Sequence, residues 1–265
     1  MRFAKRLLKR QLKRALILAV LFSPLVIAWK PLHQAMMYPA PSSRPPMIVP
    51  RHVEKITFES NYGFLLKPPT FDAEKTYPVV IFFHGNATAA HFLFDRFEPL
   101  LNRDYLVYLA EYPGYGSMEG SPSLESIQQT ALSTYDYLAK QSFVDKNRIV
   151  TYGQSIGGGI ATILASKRSV AALVLESTFY RITDLTIRKG IPNFLVRDQY
   201  DNAALIKKLK MPIFIMHGTD DRIIPIHHGH RLKDLAPHSQ FRTLNCGHND
   251  CEPDWLFLLN FLKKL

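Results

Sequence analysis

The chain has 265 residues, 47% of them hydrophobic, which is enough for one sizeable globular domain with a substantial core. Its formal net charge of +11 is concentrated at the start, because residues 1–30 hold eight Lys or Arg and no Asp or Glu. The rest is nearly balanced, with 25 basic against 22 acidic residues, and this argues against a nucleic-acid-binding protein.

The N-terminal segment, residues 1–30, has the pattern of a membrane-targeting sequence. A basic block is followed by 15 uncharged residues, Ala15–Trp29. Positive residues ahead of an apolar run stay in the cytoplasm, so the body would be exported to a periplasm or lumen. Two interpretations stay open. Trp29 and Lys30 favour an uncleaved membrane anchor, whereas the small residue Ala28 also suits a cleaved signal peptide and a secreted form.

Residues 31–50 contain six prolines, and we expect an extended tether there rather than a helix. The globular domain is predicted to span residues 51–265. Within it, apolar runs predict strands at 52–60, 64–69, 77–83, 104–112, 148–152, 170–176, 211–218 and 240–246. Helical spacing separates them at 89–101, 123–140, 157–167, 202–210, 226–236 and 254–263.

This alternation predicts an α/β protein with a mostly parallel central sheet and helices on both faces. Only some 35 residues lie between Leu175 and Met211, including the stretch 181–200, which is too short for a large helical lid, so we expect only a shallow apolar flap. In such sheets the ligand crevice lies beyond the carboxyl ends of the strands. Several predicted strands end in chemically capable residues: His84-Gly85-Asn86, Ser155, Glu176, Asp220-Asp221 and His248.

The segment around Ser155 is the most specific of these. Gly153 and Gly157 flank the serine two residues away on each side, which suits a sharp strand-to-helix turn that presents a side chain at its tip. Six segments then appear in a familiar order: IFFHGNA (81–87), EYPGYGSMEGSPS (111–123), GQSIGG (153–158), LESTF (175–179), HGTDDRIIP (217–225) and CGHND (246–250).

These segments resemble the α/β-hydrolase superfamily, over roughly residues 50–265. The chain looks most similar to the capless serine hydrolases of the bud-emergence type, a branch with membrane-associated enzymes proposed to cleave acyl thioesters. The resemblance implies a nucleophile at Ser155, a base at His248 and an acid three residues after Gly218, at Asp221. Asp220 would then be an exposed turn residue.

The resemblance also implies an oxyanion hole made by the backbone N–H groups of Asn86 and Ile156. Some superfamily members carry the acid after an earlier strand, where Glu176 stands, but a packing or helix-capping role is favoured for this carboxylate. The run HHGH (227–230) lacks a paired carboxylate at a ligand spacing, which disfavours a zinc site. Cys246 and Cys251 could form a disulfide in an exported domain or remain two free thiols.

The function expected from these residues is hydrolysis of a small-molecule or lipid-like acyl ester or thioester through an acyl-enzyme. No metal or organic cofactor is expected, and the N-terminus would bring the enzyme to a membrane. Two alternatives stay open: an amidase or peptidase with the same triad, and a non-catalytic binding protein that keeps the fold.

Overall fold

The computed structural model describes residues 11, 13, 29, 31–41 and 48–265. Their contacts define two compact units, Met1–Pro39 and Ala40–Leu265. Most of the predicted anchor lies outside the described residues, so its role stays a prediction. Among the residues that are described, no helix is both long enough and apolar enough to cross a membrane.

In the first unit, residues 31–37 are helical, so the prediction of an extended tether is wrong for this stretch. Proline is accepted in the first turn of a helix, where its missing N–H would have no intrahelical acceptor. Pro31 therefore does not oppose the helix, and no further proline follows until Pro39.

In the second unit, eight strands form one sheet in the order β1-β2-β4-β3-β5-β6-β7-β8. The strands are β1 (Val53–Phe58), β2 (Asn61–Leu66), β3 (Tyr77–Phe83), β4 (Leu106–Ala110), β5 (Val144–Gln154), β6 (Ala172–Glu176), β7 (Ile213–Gly218) and β8 (Gln240–Leu244). Strands β3 to β8 pair in parallel, whereas β2 is antiparallel to both of its neighbours. The predicted α/β class with a mostly parallel sheet is confirmed.

The helices that connect the strands are α1 (Glu98–Leu101), α2 (Leu124–Leu138), α3 (Ile156–Lys167), α4 (Ile182–Arg188), α5 (Asn202–Ile206), α6 (His227–Leu235) and α7 (Trp255–Leu262). The helix predicted at 89–101 is instead a 3₁₀ helix, Ala90–Phe97, followed by the short α1. Pro99 lies in the first turn of α1, where proline suits a new helix start.

Burial of the central strands on both faces of the sheet explains the continuous apolar runs in the sequence. All seven residues of β3 and all five of β6 are buried, as expected for strands covered on both faces. On one face, side chains such as Phe82 and Phe214 pack with Phe97 of the 3₁₀ helix and Phe261 of α7. Crossover connections return the chain to the same end of the sheet before each parallel strand, so the carboxyl ends of β3 to β8 meet at one edge.

Candidate active site

Ser155 lies in the turn between β5 and α3, with φ 54° and ψ −120°. A residue that carries a Cβ rarely adopts positive φ, so this turn is strained. The flanking glycines make it possible: a Cβ on Gly153 would collide with the backbone of Gly157, and one on Gly157 with the carbonyl of Phe83. The Ser155 N–H also donates to the carbonyl of Glu176 at 2.9 Å. The serine is thereby held at the carboxyl edge of the sheet.

His248 follows β8 and contacts both Ser155 and Asp221. Its Nε2 is 3.0 Å from Ser155 Oγ, and its Nδ1 is 2.7 Å from Asp221 Oδ2. A carboxylate only accepts hydrogen bonds, so the ring proton is on Nδ1 and the lone pair on Nε2 faces the serine hydroxyl. The side chain of His248 is 9% exposed. This tautomer can accept the proton of Ser155.

Asp221 lies in the loop after β7, and its two carboxylate oxygens have separate partners. Oδ1 accepts the N–H groups of Ile223 at 2.9 Å and Ile224 at 2.7 Å, which leaves Oδ2 to face His248. Asp221 is buried, whereas its neighbour Asp220 is exposed. Of the two aspartates, the structure therefore brings Asp221 against the histidine.

His217, the penultimate residue of β7, is a second histidine close to the Asp221 carboxylate. Its Nε2 donates to the carbonyl of Ile224 at 2.7 Å and is 3.5 Å from Asp221 Oδ2. Burial opposes ionisation of Asp221, but the hydrogen bonds from His217, His248 and the Ile224 N–H outweigh it and hold the pKa of Asp221 below its ordinary value. The carboxylate is therefore ionised whenever His248 can act as a base.

The two residues predicted to form an oxyanion hole border the serine. Ile156 is the first residue of α3, a position whose N–H has no acceptor within the helix. The loop that carries Asn86 passes close to Ser155, because a Cβ on Gly85 would lie 3.3 Å from the Cβ of Ser155. Tyr115 donates its hydroxyl hydrogen to Asn86 Oδ1 at 2.9 Å, which anchors the side chain of Asn86 to the next loop.

A buried pair, His84 and Glu111, braces the Asn86 loop. His84, at a strand end, was expected to brace a loop, but no role had been predicted for Glu111. His84 Nε2 is 2.9 Å from Glu111 Oε1, and neither side chain is exposed to solvent. The other oxygen, Glu111 Oε2, accepts the N–H of Ala90 at 3.2 Å, while Tyr112 donates to the carbonyl of His84 at 2.8 Å. The sequence signal available for Glu111 was its position directly after β4, whose residues are all apolar.

Glu176 lies in a different cluster, away from the His248 pairing. Its carboxylate accepts two hydrogen bonds from Arg96 Nη2, at 2.7 and 2.8 Å, and one from Gln154 Nε2 at 3.0 Å. The Tyr152 hydroxyl also donates to it. Glu176 is thus a buried, ion-paired residue at the end of β6, in agreement with the packing role favoured from the sequence.

The remaining sequence candidates have local partners. A disulfide joins Cys246 and Cys251, with 5.2 Å between their Cα atoms, so the loop carrying His248 is covalently closed. His228, in the HHGH run, is buried, and its Nδ1 accepts the Tyr180 N–H at 3.4 Å. Within the described ranges, no group of three or more His, Cys, Asp or Glu is placed to hold a metal ion.

The eight-stranded sheet, the strained serine turn and the adjacent histidine and acid loops define an α/β hydrolase. A family model described as "alpha/beta hydrolase fold" matches residues 78–204 and 175–254. The chain therefore belongs to the α/β-hydrolase fold family, which confirms the resemblance inferred from its motifs.

Curated relatives agree with the bud-emergence resemblance. The chain is 28% identical over 188 residues to the α/β-hydrolase domain-containing protein WAV2 of Arabidopsis thaliana, covering 64% of this chain and 60% of that protein. It is 30% identical over 183 residues to protein bem46 of Schizosaccharomyces pombe, covering 65% and 59%. The uncharacterized protein YfhR of Salmonella typhi is 31% identical over 209 residues, covering 71% and 70%. The match to WAV2 and bem46 thus spans less than two thirds of those proteins.

Solved structures support the fold. An esterase of Thermogutta terrifontis with bound butyrate superposes with a TM-score of 0.63 at 16% identity, covering 81% of this chain and 92% of that one. A putative dipeptidyl aminopeptidase IV of Bacteroides ovatus gives a TM-score of 0.66 at 17% identity, covering 80% and 35%. Esterases and peptidases share this architecture, so the likeness shows the fold alone.

Proposed function

We propose that the protein is a serine hydrolase that cleaves a carboxylic ester or thioester through a Ser155 acyl-enzyme. The observation that carries the proposal is the continuous hydrogen-bonded series from Ser155 Oγ to His248 Nε2, at 3.0 Å, and from His248 Nδ1 to Asp221 Oδ2, at 2.7 Å. A serine hydroxyl is a weak nucleophile until a neighbouring base can accept its proton, and this series supplies that base.

In the proposed reaction, Ser155 Oγ attacks the acyl carbon while His248 Nε2 accepts the hydroxyl proton. Asp221 stabilises the imidazolium that results, and the N–H groups of Asn86 and Ile156 donate to the oxyanion of the tetrahedral intermediate. The carbon–oxygen or carbon–sulfur bond to the leaving group then breaks, and His248 returns the proton to that alcohol or thiol. Water, deprotonated by the same histidine, hydrolyses the acyl-enzyme and releases the acid. Neither half-reaction requires a metal or an organic cofactor.

The flap between β6 and α5 supports a substrate with a bulky acyl group. It consists of the single short helix α4, a 3₁₀ turn at Asn193–Leu195 and their connections. A cover of this size leaves the carboxyl edge accessible, which suits a lipid-like acyl chain. The same triad could cleave an amide, so turnover of p-nitrophenyl butyrate should be compared with that of the matching anilide; faster anilide turnover would make the protein an amidase.

Labelling with a fluorophosphonate probe tests the nucleophile. We expect the wild-type protein to be labelled and to turn over p-nitrophenyl butyrate, and the Ser155→Ala variant to do neither while keeping its circular dichroism spectrum. Ser177→Ala is the matched control, because Ser177 is a buried serine with a positive φ of 45° at the end of the neighbouring strand. Labelling that persists in Ser155→Ala, or that is lost only in Ser177→Ala, would contradict the proposal.

A further inference from the structure

Exposed apolar side chains in the hydrolase domain are unevenly distributed. Across residues 51–265, the exposed side chains of large apolar residues are Phe92, Ile187, Phe194, Ile223, Leu256 and Phe257. Three of them, Ile187, Phe194 and Ile223, stand on the flap and on the loop after β7, which follow the carboxyl ends of the neighbouring strands β6 and β7. An exposed apolar patch on a folded domain marks an interaction surface.

The flap presents two of them at its tip. Its base is closed by backbone hydrogen bonds from Ile182 to Tyr200 at 3.0 Å and from Ala203 to Tyr180 at 2.9 Å. Beyond this base, Ile187 is 56% exposed and Phe194 is 84% exposed. The flap is therefore a closed projection whose apolar side chains face water, although its two ends are fixed to the domain.

Cations accompany these side chains. Arg188 and Lys189 directly follow Ile187 and are exposed. Two acidic residues of the flap have partners away from its tip: Asp198 Oδ2 accepts the Leu124 N–H at 3.2 Å, and Asp201 Oδ1 accepts from Arg181 Nε at 3.3 Å. Asp184 is half-buried. The tip is thus both apolar and positively charged.

The loop that carries Asp221 repeats the pattern beside the flap. Ile223 is 55% exposed, and the exposed Arg222 precedes it. The two segments are connected through the start of α6, which follows this loop and contacts the base of the flap: the Tyr180 N–H donates to His228 Nδ1 at 3.4 Å. Asp220 is also exposed on this loop and offsets the charge of Arg222, so the net positive charge of the patch comes mainly from Arg188 and Lys189 of the flap.

We propose that this patch, formed by Ile187, Arg188, Lys189, Phe194, Arg222 and Ile223, docks on a membrane surface that carries anionic lipid headgroups. Apolar side chains with adjacent Lys or Arg are the composition of segments that lie in the headgroup region. A stable protein partner would need about 20 to 30 residues on each side, far more than these two short segments offer. Docking would turn the Ser155 edge toward the bilayer. The inference does not depend on Ser155 being a nucleophile.

A site-specific fluorescent probe tests the docking in the full-length chain. Phe194→Cys would be labelled with a nitrobenzoxadiazole group under non-reducing conditions, with the wild-type chain treated alike to check that the disulfide-bonded cysteines do not react. Protein pelleted with phosphatidylcholine vesicles, with or without phosphatidylglycerol, would then be compared by emission spectrum. Because emission is measured only for protein already bound to vesicles, the contribution of the basic N-terminus to binding does not affect the comparison.

We expect the probe at position 194 to shift to shorter wavelengths on the anionic vesicles. The same probe at the exposed Asn147, near the amino-terminal end of β5 at the opposite edge, should not shift. Arg188→Gln and Lys189→Gln should each lower the equilibrium constant for insertion of position 194 by about fivefold.

Three results would overturn the proposal: no shift at position 194, equal shifts at positions 194 and 147, or a shift in solution that rises with protein concentration and marks a second copy on the patch. A test of catalysis stays separate. Failure of the proposed function would abolish neither vesicle docking nor the spectral shift, because both are read without turnover.

Discussion

Replacing Asp221 by asparagine tests the orientation of His248 with almost no change in shape. In the wild-type site, Oδ1 of Asp221 accepts two backbone N–H groups, from Ile223 and Ile224. In Asp221→Asn the amide oxygen is the group that can keep these two hydrogen bonds, so the NH₂ group must face His248 Nδ1. An NH₂ group donates, and Nδ1 must then accept. The ring proton moves to Nε2, where it faces Ser155.

The resulting tautomer cannot accept the serine proton, and the variant also loses the carboxylate that stabilises the imidazolium. In a comparable triad the same substitution lowers turnover by about 10⁴-fold. We therefore expect kcat for p-nitrophenyl butyrate to fall by about this factor in Asp221→Asn, with KM changed little. The measurement is steady-state kinetics on protein whose fold is verified by its melting temperature.

Asp220→Asn is the matched control, since it makes the same chemical change one residue earlier at an exposed side chain. It should stay within a few-fold of the wild-type rate. A loss of less than tenfold in Asp221→Asn, or a larger loss in Asp220→Asn than in Asp221→Asn, would refute this account of the acid.

Three further predictions concern the surroundings of the site. Arg96→Met should lower the free energy of unfolding, measured by urea titration, by about 3–5 kcal/mol, because it leaves the buried carboxylate of Glu176 without its cation. The double variant Arg96→Met/Glu176→Leu should recover most of this loss. A double variant as unstable as Arg96→Met alone would contradict the argument. Burial, with the nearby His227 and His217, lowers the pKa of His228 from 6.5 to about 4. The unfolded chain therefore binds more protons between these values, and stability should fall as pH drops from 6.5 toward 4, by at most about 1.4 kcal/mol per pH unit, with a smaller slope in His228→Gln. Reduction of the Cys246–Cys251 disulfide should lower kcat without abolishing folding, because it frees the loop that holds His248; equal kcat before and after reduction, with two free thiols counted, would argue against this.

The sheet and the central residues of the site were predictable because their signals are local. Continuous apolar runs such as Tyr77–Phe83 mark strands buried on both faces, and glycines around Ser155 mark a tight turn. The choice of Asp221 over Asp220 depended on the resemblance to known hydrolases. Only the contact in the structure gives its physical reason: one oxygen is held by backbone N–H groups and the other faces His248.

Other features depend on partners distant in sequence and left no local pattern. Arg96 and Glu176 are 80 residues apart in the sequence. Taken alone, each would be predicted to be an exposed charged residue. Glu111 pairs with His84 only because β3 and β4 are neighbours in the sheet. The helix at 31–37 was missed for the opposite reason, since the prolines around it dominated the composition of the whole stretch.

The position of β8 has a consequence for how the protein gains and loses activity. This strand is the last of the sheet, pairs only with β7 and exposes part of every residue from Gln240 to Leu244. An edge strand with little burial is among the first elements to open in local unfolding. Because His248 follows directly, the proposed base is in place only after β8 has been synthesised and has joined the sheet. A partly opened molecule likewise loses the proposed base while most of the sheet is intact, so the proposed catalytic centre is less durable than the scaffold that supports it.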